Sequence, residues 1–148
     1  MTADLSALIA RLEAAEVGSR ELDAHVEIAA RAFEAAKTGL AREHWAIWRA
    51  SSSGIVSDGA TQYASATVTT SLDAALALAE RVLPDREIAL SQRKPRHLET
   101  CAEWWHASLF KVRTGVVFGV GPSTVTAKAS TPALALAIAI LRAKQGEG

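Results

Sequence analysis

Apolar positions along the chain change period twice, from helical to alternating and back to helical. Leu5, Leu8, Ile9 and Leu12 recur at helical spacing, with Asp4 near the start and Gly18 at the stop, and predict a helix over 3–17. Ser19 restarts a second helix, which turns Leu22, Val26, Ala29, Ala30 and Phe33 inward, faces Glu21, Glu27 and Arg31 to water, and ends at Thr38 and Gly39. The Gly18-Ser19 break leaves a bent rod and a helical hairpin both open. His44 to Ala50 is aromatic and β-leaning and predicts a strand, Ser51 to Gly59 a polar loop, and Tyr63 to Thr69 a second strand of small and β-branched residues.

Thr70 and Ser71 then open a helix, with Asp73 in its first turn, Leu72, Leu76, Leu78 and Val82 on its apolar face, and Pro84 closing it. Glu87 to Ser91 predicts a short strand and Gln92 to Arg96 a basic loop. Over 103–112 the alternation is clear: Trp104, His106, Ser108, Phe110 and Val112 share one face, and Trp105, Ala107, Leu109 and Lys111 the other. A turn at 113–115 and a returning strand at 116–120 follow, broken or bulged by Gly119, Gly121 and Pro122, and Thr124 to Ala129 continues as strand. Thr131 caps the last helix and Pro132 takes its first position, where a missing N–H costs nothing. The run from Ala133 to Leu141 has no polar side chain, so this helix must be covered on several sides. The element order predicts an α+β fold: a mostly antiparallel sheet with helices packed on both faces, an α/β/α sandwich. One domain over 1–148 is expected, with a helical N-terminal part over about 3–38 and a sheet-and-helix core over about 44–144.

Composition narrows the class. At 148 residues and 49% hydrophobic, the chain suits one domain with a real core and not a disordered segment. Sixteen basic residues balance sixteen acidic ones, against the basic excess of a general nucleic-acid binder. The balance is local, however: the first 43 residues lean acidic. Arg86, Arg93, Lys94, Arg96, Lys111, Arg113 and Lys128 outnumber Glu87, Glu99 and Glu103 across 86–128, a bias that attracts an anion. A single cysteine, Cys101, permits no internal disulfide and suits a reducing cytosol. With no signal-peptide pattern at the start and a longest apolar run too short for a bilayer, a cytoplasmic protein with no membrane partner is expected.

Several segments together resemble a known pattern. Ala66-Thr-Val-Thr-Thr-Ser-Leu-Asp-Ala-Ala-Leu-Ala-Leu78 and Ala127-Lys-Ala-Ser-Thr-Pro-Ala-Leu-Ala-Leu-Ala-Ile-Ala-Ile-Leu-Arg-Ala143, preceded by Leu8-Ile-Ala-Arg-Leu-Glu-Ala14 and Ser19-Arg-Glu-Leu-Asp23, look like the phage ABA-sandwich domain. The resemblance implies a central antiparallel sheet between helical layers and an origin in a phage or prophage accessory gene. It implies no catalytic residues, and 86–126 follows no part of it.

His97, Cys101 and His106, with Glu99 and Glu103, are zinc-type ligands without a zinc-type spacing, so no metal, cofactor or catalytic set is assigned. Phe118 to Thr124 is glycine-rich, but no Lys follows the glycines as a phosphate loop requires. The strongest constellation is aromatic and basic. Four tryptophans, Trp45, Trp48, Trp104 and Trp105, stand among eight aromatics, and basic residues crowd the second pair. Tryptophan stacks on nucleobases and arginine holds phosphate. Adjacent strand residues face opposite ways, so only one of Trp104 and Trp105 can point into a given site. The expected ligand-binding set is Trp104, His106, Arg93, Arg96, Lys111 and Arg113. It belongs to a non-enzymatic phage-encoded accessory protein that binds a small anionic, nucleotide-like ligand, such as an immune signal of the infected bacterial host, and that self-associates. The alternatives are a protein–protein module using the N-terminal helices, and a nucleotide phosphodiester hydrolase using His106, His97 or Glu103.

Overall fold

The computed structural model describes residues 2–39, 47–94, 103–111 and 124–147. Its elements run α1 (Thr2–Ala14), α2 (Arg20–Thr38), β1 (Arg49–Ala50), β2 (Ile55–Ser57), β3 (Gln62–Ala64), α3 (Leu72–Val82), β4 (Arg86–Arg93), β5 (Trp104–Lys111), β6 (Val125–Ala129) and α4 (Pro132–Glu147). The fold is α+β, and every strand pair among the described residues is antiparallel. The strands form two sheets, ordered β1-β2-β3 and β4-β5-β6. The second sheet rests on α4, α4 rests on α1 and α3, these rest on α2, and the far side of α2 carries the first sheet. No described helix is long and apolar enough to cross a membrane.

The helix ends follow local chemistry. The Ser19 hydroxyl accepts the Leu22 N–H at 3.1 Å, and the Ser71 hydroxyl accepts that of Ala74 at 3.3 Å. Gly39 closes α2 in the left-handed conformation, φ 73°. Thr131 caps α4, its hydroxyl accepting the Leu134 N–H at 3.3 Å. From Ala133 to Leu141 every residue of α4 is buried. Side-chain bonds knit α4 and the bend ahead of it to α1 and the turn after it: Gln145 to Ser6, Arg142 to Glu13, and the Ser130 hydroxyl to the Glu16 carbonyl.

Several local expectations are corrected. The first helix ends at Ala14, three residues early, because its apolar period stops at Leu12 and Val17 lies in solvent. The loop expected over 51–59 contains β2, whose Val56 is fully buried against Trp48 and Ala24. The strand expected over 63–69 stops at Ala64, and Thr69 lies in the turn ahead of α3. Of the strand expected over 44–50, Arg49–Ala50 is strand and 44–46 lie outside the described residues. β4 is longer than expected, running to Arg93. The hairpin expected over 113–120 lies outside the described residues.

Thr69 is displaced from a strand by a buried carboxylate. Asp23, at 0% exposure, receives the Thr69 N–H and hydroxyl on Oδ1 at 2.8 and 2.6 Å, and Arg20 Nη1 on Oδ2 at 2.7 Å. Arg20 Nη2 continues to the Ser65 carbonyl at 2.7 Å, and the Ser19 N–H donates to the Thr69 hydroxyl at 3.0 Å. A buried charge is tolerable when paired and hydrogen-bonded in this way. Gly18 lies so close to Thr69 that a Cβ would overlap the Thr69 carbonyl.

Glu27 does not face water either: it is 8% exposed. Arg81 of α3 donates Nη1 to its Oε2 at 3.0 Å and Nη2 to its Oε1 at 3.2 Å, and the Tyr63 hydroxyl donates to Oε1 at 2.8 Å. Arg31 bonds Tyr63 and lies over the rings of both Trp48 and Tyr63, 4.7 Å from each centroid. Burial alone would lower the Arg81 guanidinium, but its bonds to the Glu27 and Glu34 carboxylates carry it above its usual value. Burial raises the Tyr63 phenol above its ordinary value, opposed by the Arg31 bond and assisted by the Glu27 bond. His25, half-buried and near Arg11, is lowered by desolvation first and by that charge second.

Three outcomes follow from these contacts. Asp23→Ala strands the Arg20 guanidinium and the Thr69 N–H, and should cost about 3 kcal/mol in chemical denaturation; a loss within error of zero would show the knot to be dispensable. Gly18→Ala should cost about 1–3 kcal/mol by the same assay, since backbone must move to admit the methyl group. Tyr63 is the only tyrosine, so its ionisation can be followed by ultraviolet absorbance. The folded state holds this proton more tightly than the unfolded chain, so stability is intact below about pH 10 and falls as pH rises past it. The absorbance midpoint should lie above that of free tyrosine, and one at or below it would contradict the burial described.

Candidate functional site

The two faces of the second sheet differ because strand side chains alternate. Toward α4 point Ile88 and Leu90 of β4, Trp105, Ala107 and Leu109 of β5, and Val125, Ala127 and Ala129 of β6, matched row by row in the register. Ala107 and Leu109 are fully buried. Packing on α4 fixes this side, so it also fixes what the opposite side displays.

The opposite face carries Trp104 and His106 on β5, with Thr126 and Lys128 on β6. His106 pairs with Lys128 in the register. Trp104 meets His106 edge to face at 6.1 Å between centroids and 74° between planes. Lys128 Nζ stands over the Trp104 ring, 5.1 Å from its centroid. These four residues, with Ala127, Arg142 and Glu13, line an open depression of about 520 Å³. Arg142 reaches it from α4 around the side of β6 away from β5, donating Nη1 to the Thr126 carbonyl at 2.9 Å and pairing with Glu13 of α1. The result is one indole face, one imidazole, one ammonium over the indole, and one guanidinium already held by a carboxylate.

Among the residues singled out in the sequence, Trp104 and His106 are brought together. Arg93 lies opposite Trp104 in the β4–β5 register and is exposed, flanking the cluster. Lys111 is not brought to it. It ends β5 on the other face, about 23 Å along the strand from Trp104, and lies 4.0 Å from Asp85. Arg96 and Arg113 lie outside the described residues, as do Trp45, His97, Glu99, Cys101 and the glycine-rich stretch up to Ser123. Glu103 accepts from Gln92 Nε2 at 3.2 Å on the surface. Trp48 packs against Ala24 and Val56 in the core beneath the first sheet, and Trp105 packs against the main core, so neither faces the depression. Among the described residues, no three His, Cys, Asp or Glu side chains converge as metal ligands.

Lys128, Thr126, Arg142 and Glu13 stand outside the expected ligand-binding set. The alternation of β6 places Thr126 and Lys128 on the face away from Ala127. Only the β5–β6 register brings Lys128 beside Trp104, and no local pattern reports a register set across an intervening segment. Arg142 is the first polar residue after the apolar run of α4, and its reach around β6 is a tertiary fact. No family model, curated protein or solved structure matches the chain.

Proposed function

We propose that the chain is a non-enzymatic binder of a small anionic ligand with a planar ring, a nucleotide being the best-suited chemistry, seated on the outer face of β5 and β6. The observation that carries this reading is Lys128 Nζ held 5.1 Å over the Trp104 ring, with His106 edge-on to the same indole. Trp104 lines an open depression, where its indole offers a stacking surface to a base once the ammonium that stands over it turns to a phosphate. Arg93 stands at the flank of this surface, where a second phosphate would find it. Binding needs no acid–base pair, and sequestration of a ligand by this face needs no turnover.

The resemblance of the N-terminal, 66–78 and C-terminal segments to phage ABA-sandwich domains extends the proposal to origin and purpose. On that reading the chain is a phage accessory protein that removes a nucleotide signal of host defence inside the infected bacterium. Phosphodiester hydrolysis stands as the competing activity on the same face, with His106 as its general base.

The test is a thermal-shift screen of the purified protein against linear and cyclic nucleotides, with the ligand recovered after denaturation and identified by chromatography. A binder at a hundredfold excess over its Kd stabilises by about 2.7 kcal/mol, a clear rise in Tm. Trp104→Ala should weaken binding by about 1–3 kcal/mol, and Lys128→Ala by about 1.5–3 kcal/mol, with both variants folded. Recovery of intact ligand supports sequestration, whereas altered ligand that depends on His106 moves the assignment to hydrolysis. No shift with any nucleotide, or shifts indifferent to both substitutions, would sink the reading.

A further inference from the structure

One wall of the depression works against an anion, because it is a carboxylate. Glu13 of α1 lines the depression together with Arg142, Lys128, Thr126, His106 and Trp104. Glu13 Oε1 accepts from Arg142 Nη2, and Arg142 Nη1 donates to the Thr126 carbonyl at 2.9 Å. Those bonds engage two N–H groups of a guanidinium that carries five, so Arg142 can take a phosphate without leaving either partner. The tie between α1 and the end of the chain does not rest on Glu13 alone, since Gln145 bonds Ser6 and the Ser130 hydroxyl bonds the Glu16 carbonyl. The Glu13 side chain is 40% exposed, and an ion pair so placed adds little stability. What this carboxylate does change is the charge that a ligand meets.

The β5–β6 register decides which end of a ligand meets Glu13. Trp105 pairs with Ala129 and His106 with Lys128, so Trp104 lies at the end of β6 beyond Lys128. Thr126 lies two residues the other way from Lys128, about 7 Å along the strand. A nucleotide that fills the depression with its base on Trp104 therefore carries its phosphate past Lys128 toward Thr126, Arg142 and Glu13. There Lys128 and Arg142 attract the phosphate and Glu13 repels it. The repulsion grows in proportion to the charge on the ligand. The cost of stripping water from the anion grows faster, as the square of its charge in the Born picture. A phosphodiester carries a single negative charge, whereas a phosphomonoester carries about 1.5 to 2 at neutral pH.

We propose that Glu13 is a specificity-determining residue of this face, and that it selects a nucleotide whose phosphate is a diester, a cyclic nucleotide, over one that ends in a monoester or polyphosphate. The inference rests on the nucleotide reading of the outer face and narrows that reading to one class of phosphate ester. Arg142 then supplies direction more than charge: Glu13 offsets its charge, and the Thr126 carbonyl fixes its orientation. Lys128 answers the single charge of a diester. Each further charge on the phosphate meets the Glu13 carboxylate again and costs more dehydration. Discrimination of this kind comes from a repulsive element built into the site as well as from its attractive ones.

The experiment is calorimetric titration of the full chain at fixed ionic strength with two matched pairs of probes. These are cyclic adenosine monophosphate against linear adenosine monophosphate, and the two guanosine equivalents. Within each pair the base is the same and the charge on the phosphate differs. Wild type should bind each cyclic probe more tightly than its linear partner. Glu13→Gln keeps an acceptor for Arg142 and removes the charge. It should raise affinity for the linear probe by about three- to tenfold more than for the cyclic one. Glu80→Gln, on α3 across α4 from the second sheet, makes the same change in net charge and should leave the ratio unmoved. Circular dichroism confirms that each variant is folded. A wild type that prefers the linear probes would overturn the role given to Glu13. So would a ratio unmoved by Glu13→Gln, and if Trp104→Ala still weakens both probes the nucleotide reading stands without it. Binding of neither member of either pair would also overturn the inference, and the wider nucleotide screen then decides whether the nucleotide reading falls with it.

Discussion

A helix with no polar face sets the terms for this fold. From Ala133 to Leu141, α4 offers nothing that water can solvate, so each of its sides needs an apolar neighbour. Its sequence also says how close those neighbours come. Alanine alternates with leucine or isoleucine, and at 3.6 residues per turn this period of two becomes a pattern of ridges. Leu134 with Ile138, and Leu136 with Ile140, form two bulky rows on roughly opposite sides of the helix; Ala133 with Ala137, and Ala135 with Ala139, form two shallow rows between them. The second sheet meets α4 with small residues of its own, Ala107, Ala127 and Ala129, while α1 and α3 cover it from elsewhere. Strand and helix can therefore approach closely without voids. The alternation would suit a strand as well, and the Thr131-Pro132 start decides for helix.

The polar counterpart is the knot around Asp23, which fixes where the first sheet sits. One carboxylate joins α2 to the turn ahead of α3, and Arg20 extends the connection to the Ser65 carbonyl beside β3. The Glu27 cluster repeats the device one turn on, tying α2 to α3 through Arg81 and to β3 through Tyr63. Both use charged residues on a helix that is otherwise amphipathic. The side of α2 facing the first sheet is thus partly polar, and hydrogen-bond geometry rather than area sets the docking there.

These two features also explain what the sequence disclosed and what it hid. Period and capping are local, so α2, α3, α4 and β5 could be read directly, as could the opposed faces of Trp104 and Trp105. Partner choice is not local. Glu27 looks solvated because its neighbours in sequence are polar, and it is buried because Arg81, fifty-four residues on, supplies the countercharge. Thr69 has the composition of a strand residue, but Asp23 claims both its N–H and its hydroxyl. β2 escaped notice because three residues between serines and glycine carry too little alternation to register. At the candidate site the same division holds: the strand pattern exposes Trp104 and His106, whereas Lys128 joins them through a register and Arg142 by reaching from α4 to β6.

The core gives the outer face its rigidity. Lys128, Trp104 and His106 are side chains of strands whose opposite faces are locked against α4, so their backbone positions are set by the core and not by a loop. Arg142 comes from α4 itself, and Glu13 from the helix that covers α4. A ligand on this face would meet groups positioned by the same packing that holds the domain together, which limits the reorganisation that binding requires.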